Sequence, residues 1–221
     1  MSAILGKKIG MVQIFDEKGD SIPVTVLEAG PCVVQLVKTV ENDGYNAVQF
    51  GFDDKRAKRV KKPQAEYLKS KNLKPKRFVR EVRCDAKEGL AVGDTVQAMF
   101  QKGDFVDVIG ISKGKGFQGG MKRNNWLGGC ETHGSMSHRA PGSIGASSYP
   151  KKVERGHPMP GQMGNEKSTM QNLKVVDVDV EKGIILVRGA VPGANGNYCV
   201  VRFAKKKKVA PRQTEKKETK E

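Results

Sequence analysis

Residues 112–167, SKGKGFQGGMKRNNWLGGCETHGSMSHRAPGSIGASSYPKKVERGHPMPGQMGNEK, cannot build a core of their own. The stretch holds 12 of the 26 glycines, all three histidines, the single tryptophan, and nine Lys/Arg against three Glu with no Asp. Valine, isoleucine and leucine occur once each, too little apolar surface to offset the entropy of ordering so long a chain. A structureless loop of this length inside a compact domain is uncommon unless it is functional. Whatever orders it must come from outside, and the rest of the chain must be a scaffold that holds it.

That scaffold reads as strands. KIGMVQIF, IPVTVLE, CVVQLVKTV and YNAVQFGF are short runs rich in Val, Ile and Phe, separated by DEKGD, AGP and ENDG, the punctuation of an antiparallel meander. The pattern stops at Asp53. It resumes in DTVQAMF and DFVDVIGI, and after the long segment in LKVVDVDV, IILVRGAV and YCVVRF. About eight short strands at hairpin spacing and one weak helix predict a mainly β chain closed or nearly closed into an antiparallel β-barrel. The expected parts are a barrel from residues 1–52, 94–111 and 168–204, a basic α+β insertion at 53–93, the extended loop at 112–167, and a low-complexity tail at 205–221 expected to be disordered. Within the insertion, Pro63 opens a short helix, and RFVREVR is a strand with arginines facing outward.

The charge is segregated. Against a whole-chain net of +16, residues 55–83 carry +11, 112–167 carry +6 and the tail from Lys205 carries +5. The remainder is therefore mildly acidic, at −6. Concentrating cations in appendages favours docking onto a polyanion over simple solubility. The insertion contributes a secondary basic patch at Lys55, Arg56, Lys58, Arg59, Lys61 and Lys62. Cys32, Cys84, Cys130 and Cys199 form no CxxC pair and are expected to be reduced and mostly buried. No stretch resembles a signal peptide or a membrane span, so a cytoplasmic protein with no membrane partner is expected; no homo-oligomer is expected either.

Three chemical motifs inside the long segment fail on their context. Gly114, Gly116 and Gly119 spell GxGxxG after a strand, which raises a nucleotide-binding enzyme as the alternative function. A dinucleotide site also needs a helix opening at the third glycine and an acidic residue about 20 positions on, and GMKRNNWLGG shows no apolar helical period. Cys130, His133 and His138 lack the further ligands zinc requires, and no strand-to-helix elbow presents Cys130 as a nucleophile. No cofactor and no metal is expected. The residues suit a flexible backbone that approaches RNA phosphates closely, with Lys113, Lys115, Lys122 and Arg123 as countercharge. Histidine and arginine here can stack on bases or meet phosphate and 2′-hydroxyl groups. Trp126 is read either as packing against the root of the appendage or against a nucleotide. No helix-turn-helix, zinc finger or basic helix suggests DNA reading.

FQKGDFVDVIGISKGKGFQGGMKR, HGSMSHRAPGSIG, GQMGNEK and IILVRGAVPG, with ILGKKIGMVQIF and VTVLEAGPCVV near the N-terminus, closely resemble the bacterial large-subunit ribosomal protein L-three family. The resemblance covers residues 1–204. It implies a non-enzymatic structural protein whose translation-factor-like barrel sits at the solvent side of the large subunit. It also implies a long extension through rRNA toward the peptidyl-transferase centre, rRNA binding early in assembly, and neighbouring large-subunit proteins as partners. By that similarity the tip falls at 142–152, with Ser143, Ser147, Ser148 and Tyr149 nearest the catalytic RNA. The family's extension histidines and arginines map onto His133, His138, Arg139 and His157. Lys151, Lys152, Arg155 and Lys167 complete the expected rRNA-binding set. Many members carry an N-methylated glutamine in the tip; this chain reads Gly145, Ala146, Ser147, Ser148, Tyr149, so that modification does not carry over.

Overall fold

The computed structural model describes residues 3–84 and 89–207. They fall into two compact units, one running through Ile111 and resuming at Lys167, the other comprising Ser112–Glu166. In chain order the first unit contributes β1 (Ala3–Phe15), β2 (Ser21–Ala29), β3 (Cys32–Lys38), α1 (Val40–Asp43), β4 (Ala47–Asp54), α2 (Lys62–Ser70), β5 (Lys76–Arg83), β6 (Thr95–Val96) and β7 (Phe105–Ile111). The second contributes β8 (Gly116–Gln118), α3 (Gly120–Asn124) and β9 (Gly161–Met163). The first then resumes with β10 (Lys167–Asp179), β11 (Ile184–Arg188) and β12 (Tyr198–Phe203).

The chain is mainly β and its sheets are antiparallel. Six strands pair in the order β1-β12-β7-β10-β11-β2, and β2 pairs back onto β1, so the ring closes. The two-residue alternation of strands points Leu5, Leu27, Val106, Val108, Val175, Ile185, Val187 and Val201 into an interior where each is fully buried.

A second sheet has the order β5-β4-β3-β6. Cys32–Lys38 and Ala47–Asp54, which the sequence pattern assigns to the barrel, pair here with each other and with β5 and β6. The physical reason is that an alternating apolar pattern states which face of a strand is buried and is silent about its neighbour. Gly30, at φ 85, breaks the chain between β2 and β3. The core is nonetheless continuous, since Val34, Phe50, Phe52 and Val82 of this sheet join one cluster with the barrel interior. Phe78 of β5 stacks on Tyr198 of β12 with ring centroids 4.9 Å apart. The Tyr198 hydroxyl donates to Asp53 at 2.6 Å, and burial together with that carboxylate pushes its pKa up to about 12. The helix at Pro63 and the strand at RFVREVR form as α2 and β5.

Two buried charges organise the barrel. Lys8 is 6% exposed, and its Nζ donates to the carbonyls of Val191 at 2.9 Å and Gly193 at 3.3 Å. The PGANGN loop is thereby pinned to β1. Asp107, flanked by inward-facing Val106 and Val108, is 1% exposed. Its carboxylate accepts the backbone N–H of Asn172 at 3.0 Å, the Arg202 guanidinium at 3.2 Å and the Lys205 N–H at 3.4 Å. Asn172 lies at φ 56 in the β10 irregularity between Met170 and Leu173, so one side chain ties β7, β10 and the chain leaving β12.

Of the cysteines, Cys32 and Cys199 are buried and Cys84 is half-buried, while Cys130 is exposed, contrary to the expectation of mostly buried thiols. Burial pushes the Cys32 thiol up to about 11 and that of Cys199 to about 12, so both stay protonated and inert at neutral pH. Of the tail expected at 205–221, residues 208–221 lie outside the described residues. Lys205 is held by Asp107, and the Lys207 ammonium sits 4.3 Å from the Phe105 ring centroid. Among the described residues no helix is long and apolar enough to cross a membrane.

Candidate nucleic-acid interface

Ser112–Glu166 is not structureless; it starts and ends as a two-stranded ribbon. Ser112 N–H donates to the Glu166 carbonyl at 2.9 Å, and Glu166 N–H returns a bond to the Ser112 hydroxyl at 3.2 Å. Lys115 N–H donates to Met163, and β8 pairs antiparallel with β9 from Gly116↔Met163 to Gln118↔Gly161. This root is built on glycine. Gly164 has φ +70, and a Cβ there would overlap the Lys113 carbonyl oxygen.

Beyond β8 the chain turns into α3, a five-residue helix capped by Gly119 with no side-chain capping bond. The sequence argument against a dinucleotide fold expects no helix here, so α3 is a correction. The dinucleotide geometry still does not arise, because Gly116 lies in an antiparallel ribbon and not in a loop joining a parallel strand to a helix. Asn125 at φ 57 ends α3, which throws Trp126 back across Gly120. Any Cβ at Gly120 would overlap the six-membered indole ring. Trp126 is half-buried, with its indole packed over Gly120. Gly120→Ala is therefore expected to expel the indole. The sole tryptophan is its own reporter, and its emission should shift to the red; an unchanged spectrum would refute the packing.

Arg123 donates to the Met159 carbonyl at 2.6 Å, and Asn124 to the same oxygen at 3.1 Å. They tie the outgoing chain to the returning one across 36 and 35 residues. Further out, Gly129 N–H donates to the His138 carbonyl at 3.2 Å. The His138 ring closes the same turn, with Nδ1 at 3.0 Å from the Cys130 carbonyl. Because a carbonyl only accepts, Nδ1 is the donor in this contact. His133 and Gly134, both at positive φ, form the bend between these limbs. Cys130, His133 and His138 thus serve a turn held by backbone bonds. Among the described residues no three His, Cys, Asp or Glu side chains gather as a metal site.

Lys113, Lys115, Lys122, Arg123, Arg139, Lys151, Lys152 and Arg155 are all exposed, as are His133, His138, Ser143, Ser147, Ser148 and Tyr149. His157 is half-buried, and Lys167 opens β10, exposed, in the other unit. None of the salt bridges among the described residues involves a cation of Ser112–Glu166. These positive charges are therefore free to meet an external anion. The sequence reading missed Phe117, which stands 75% exposed on β8. The missed signal was an aromatic among alternating Gly and Lys, the composition of a base-stacking strand. Tyr149 is 89% exposed and offers a second ring.

A family described as ribosomal protein L3 matches residues 79–183. Full-length relatives agree. The large ribosomal subunit protein uL3 of Syntrophotalea carbinolica is 51% identical over 205 residues, covering 92% of this chain and 98% of its own length. That of Brachyspira pilosicoli is 48% identical over 209 residues, covering 94% and 96%. The Bacillus cytotoxicus protein of the same name is 50% identical over 204 residues, covering 92% and 97%.

Proposed function

The chain belongs to the ribosomal protein L3 family, and from that membership we propose that it is a non-enzymatic structural constituent of the large ribosomal subunit in the cytoplasmic ribosome, binding rRNA directly. One observation supports this most: Ser112–Glu166 presents eight Lys/Arg against three Glu, exposed and without internal ion pairs. Such a surface is repulsive alone and favourable against phosphate, where each contact releases condensed counterions.

In this reading the ribbon, α3 and the His138 turn form a narrow stem that threads folded RNA, whose grooves and junctions admit thin chains more readily than globular domains. The stem orders fully on RNA. Its tip, residues 142–152, reaches toward the peptidyl-transferase centre, with Ser143, Ser147, Ser148 and Tyr149 foremost. The six-stranded ring is the translation-factor-like barrel, which docks at the solvent side early in subunit assembly. Neighbouring ribosomal proteins cover the outer half of the β1–β2 hairpin. There β1 has left β12 behind at Lys7, and Ile9, Met11, Val12 and Phe15 are between 48% and 73% exposed, more contiguous apolar surface than a free hairpin favours.

The test is a salt titration of the full chain on large-subunit rRNA fragments. Log affinity should fall linearly with log salt, and Lys122→Ala should flatten that slope by about 0.7 to 0.9 while weakening all RNA sequences alike. Affinity independent of salt would overturn the proposal.

A further inference from the structure

The insertion holds a cationic cavity that the extension does not explain. A space of about 310 Å³ is lined by Asp54, Lys55, Arg56, Arg59 and Arg77. Its walls are fixed by backbone geometry. Asp54 pairs with Lys76 across β4 and β5, and Lys55 N–H donates to the Pro75 carbonyl at 2.9 Å. A single 3₁₀ turn, Ala57–Arg59, follows, with Arg59 N–H bonded to the Arg56 carbonyl at 2.9 Å. Arg56, the residue that caps this turn, and Arg59, its last residue, both line the cavity. Arg77 enters from β5, its guanidinium carbon 5.8 Å from the Tyr198 ring centroid.

The one carboxylate in the lining is already engaged. Asp54 lies 2.7 Å from Lys76 Nζ, whose hydrogen bond and charge hold its carboxyl below the usual range. Among the described residues, none of Lys55, Arg56, Arg59 and Arg77 takes part in a salt bridge. Four like charges around one cavity raise each other's energy until an anion enters, and guanidinium forks match phosphate oxygens bidentately. An acidic protein partner fits less well, because the buried centre of a protein interface is depleted of charge and built on aromatic or aliphatic anchors. This cavity has no such lining residue.

We propose that this cavity seats a backbone phosphate of rRNA, giving the chain a second RNA contact in the unit that does not contain the extension. The proposal rests on the RNA-binding function above and narrows the secondary basic patch. Lys55, Arg56 and Arg59 form the seat together with Arg77, and Lys58, Lys61 and Lys62 lie outside its lining. Because the contact is to a phosphate, it positions the protein and reads no base.

The experiment compares phosphate-protection footprints of the full-length chain, Arg56→Gln/Arg59→Gln, and Lys113→Gln/Lys115→Gln on large-subunit rRNA. The unaltered chain should protect two separate groups of phosphates. The cavity variant should lose one group, keep the other, and flatten the salt slope by about 0.7 to 0.9 for the one lost phosphate; the extension variant should lose the other group only. Arg59→Glu, on an exposed turn, should reproduce the cavity result if the double variant folds poorly. Changing the bases at the cavity-protected nucleotides should leave affinity within about twofold, as backbone contacts carry no sequence information directly. Retention of both groups by the cavity variants, strong base dependence, or a cross-link from position 59 to a protein in place of RNA would overturn the proposal. Absence of both groups with the unaltered chain would instead overturn the RNA-binding function itself.

Discussion

Asp107→Ala is expected to lower the stability of the barrel by about 3 kcal/mol, as removing one partner of a buried ion pair does, and the melting temperature by roughly 6–12 °C for a chain of this size. The loss has three components. The Asn172 N–H that stabilises the β10 irregularity loses its acceptor, the Lys205 N–H just beyond β12 loses the same acceptor, and Arg202 is left with a charge and no anion. Arg202 has little to fall back on, since its Nε is already buried without a partner. Asp107→Asn should recover part of the loss, because its carbonyl can still accept from Asn172 while its amide opposes the guanidinium. Thermal and urea unfolding of the three proteins decides the matter. A penalty under about 1 kcal/mol for the alanine variant would mean that the network contributes only what a typical exposed pair does.

Gly164→Val should leave that unfolding transition alone and open the extension. The left-handed backbone conformation costs a side-chain-bearing residue about 1–2 kcal/mol, and the added Cβ would also overlap the Lys113 carbonyl. The chain can relieve the overlap only by separating its two limbs, which removes the Lys115–Met163 and Ser112–Glu166 bonds. Brief proteolysis should then cut within Ser112–Glu166 many times faster than in the parent, and RNA affinity should drop while the first unit melts as before. Equal resistance to protease would show that the ribbon root does not depend on Gly164.

Much of the first unit was legible because strands announce themselves by alternation. KIGMVQIF and DFVDVIGI gave β1 and β7, and Pro63 gave the start of α2. The outer partners of β3 and β4 were not legible, since pairing is settled by the register of β4 against β5, from Phe52↔Phe78 to Ala47↔Arg83, and of β3 against β6, which no periodicity encodes. Nothing in the sequence marks Asp107, between two valines, as buried; its burial depends on a β10 irregularity 65 residues away. In the extension the exposed cations were plain, but its internal order was not. The ties run from Arg123 and Asn124 to one distant carbonyl, from His138 to another, and from Trp126 onto a glycine. Such bonds between side chains and backbone leave no repeating signature. Arg77 was hidden for a related reason, being one arginine among several on β5 until the fold brought it beside a turn 18 residues earlier.

The place where the second unit is inserted has a consequence in polymer terms. It leaves from Ile111 and returns at Lys167, and those two residues are directly paired neighbours on β7 and β10. For the scaffold the 55 residues of Ser112–Glu166 are simply a long hairpin connection. Loop-closure entropy grows only with the logarithm of length, so replacing a four-residue turn by this segment costs about 2 kcal/mol. A penalty so insensitive to length lets the extension be lengthened, shortened or rewritten to follow its RNA without the barrel having to be rebuilt.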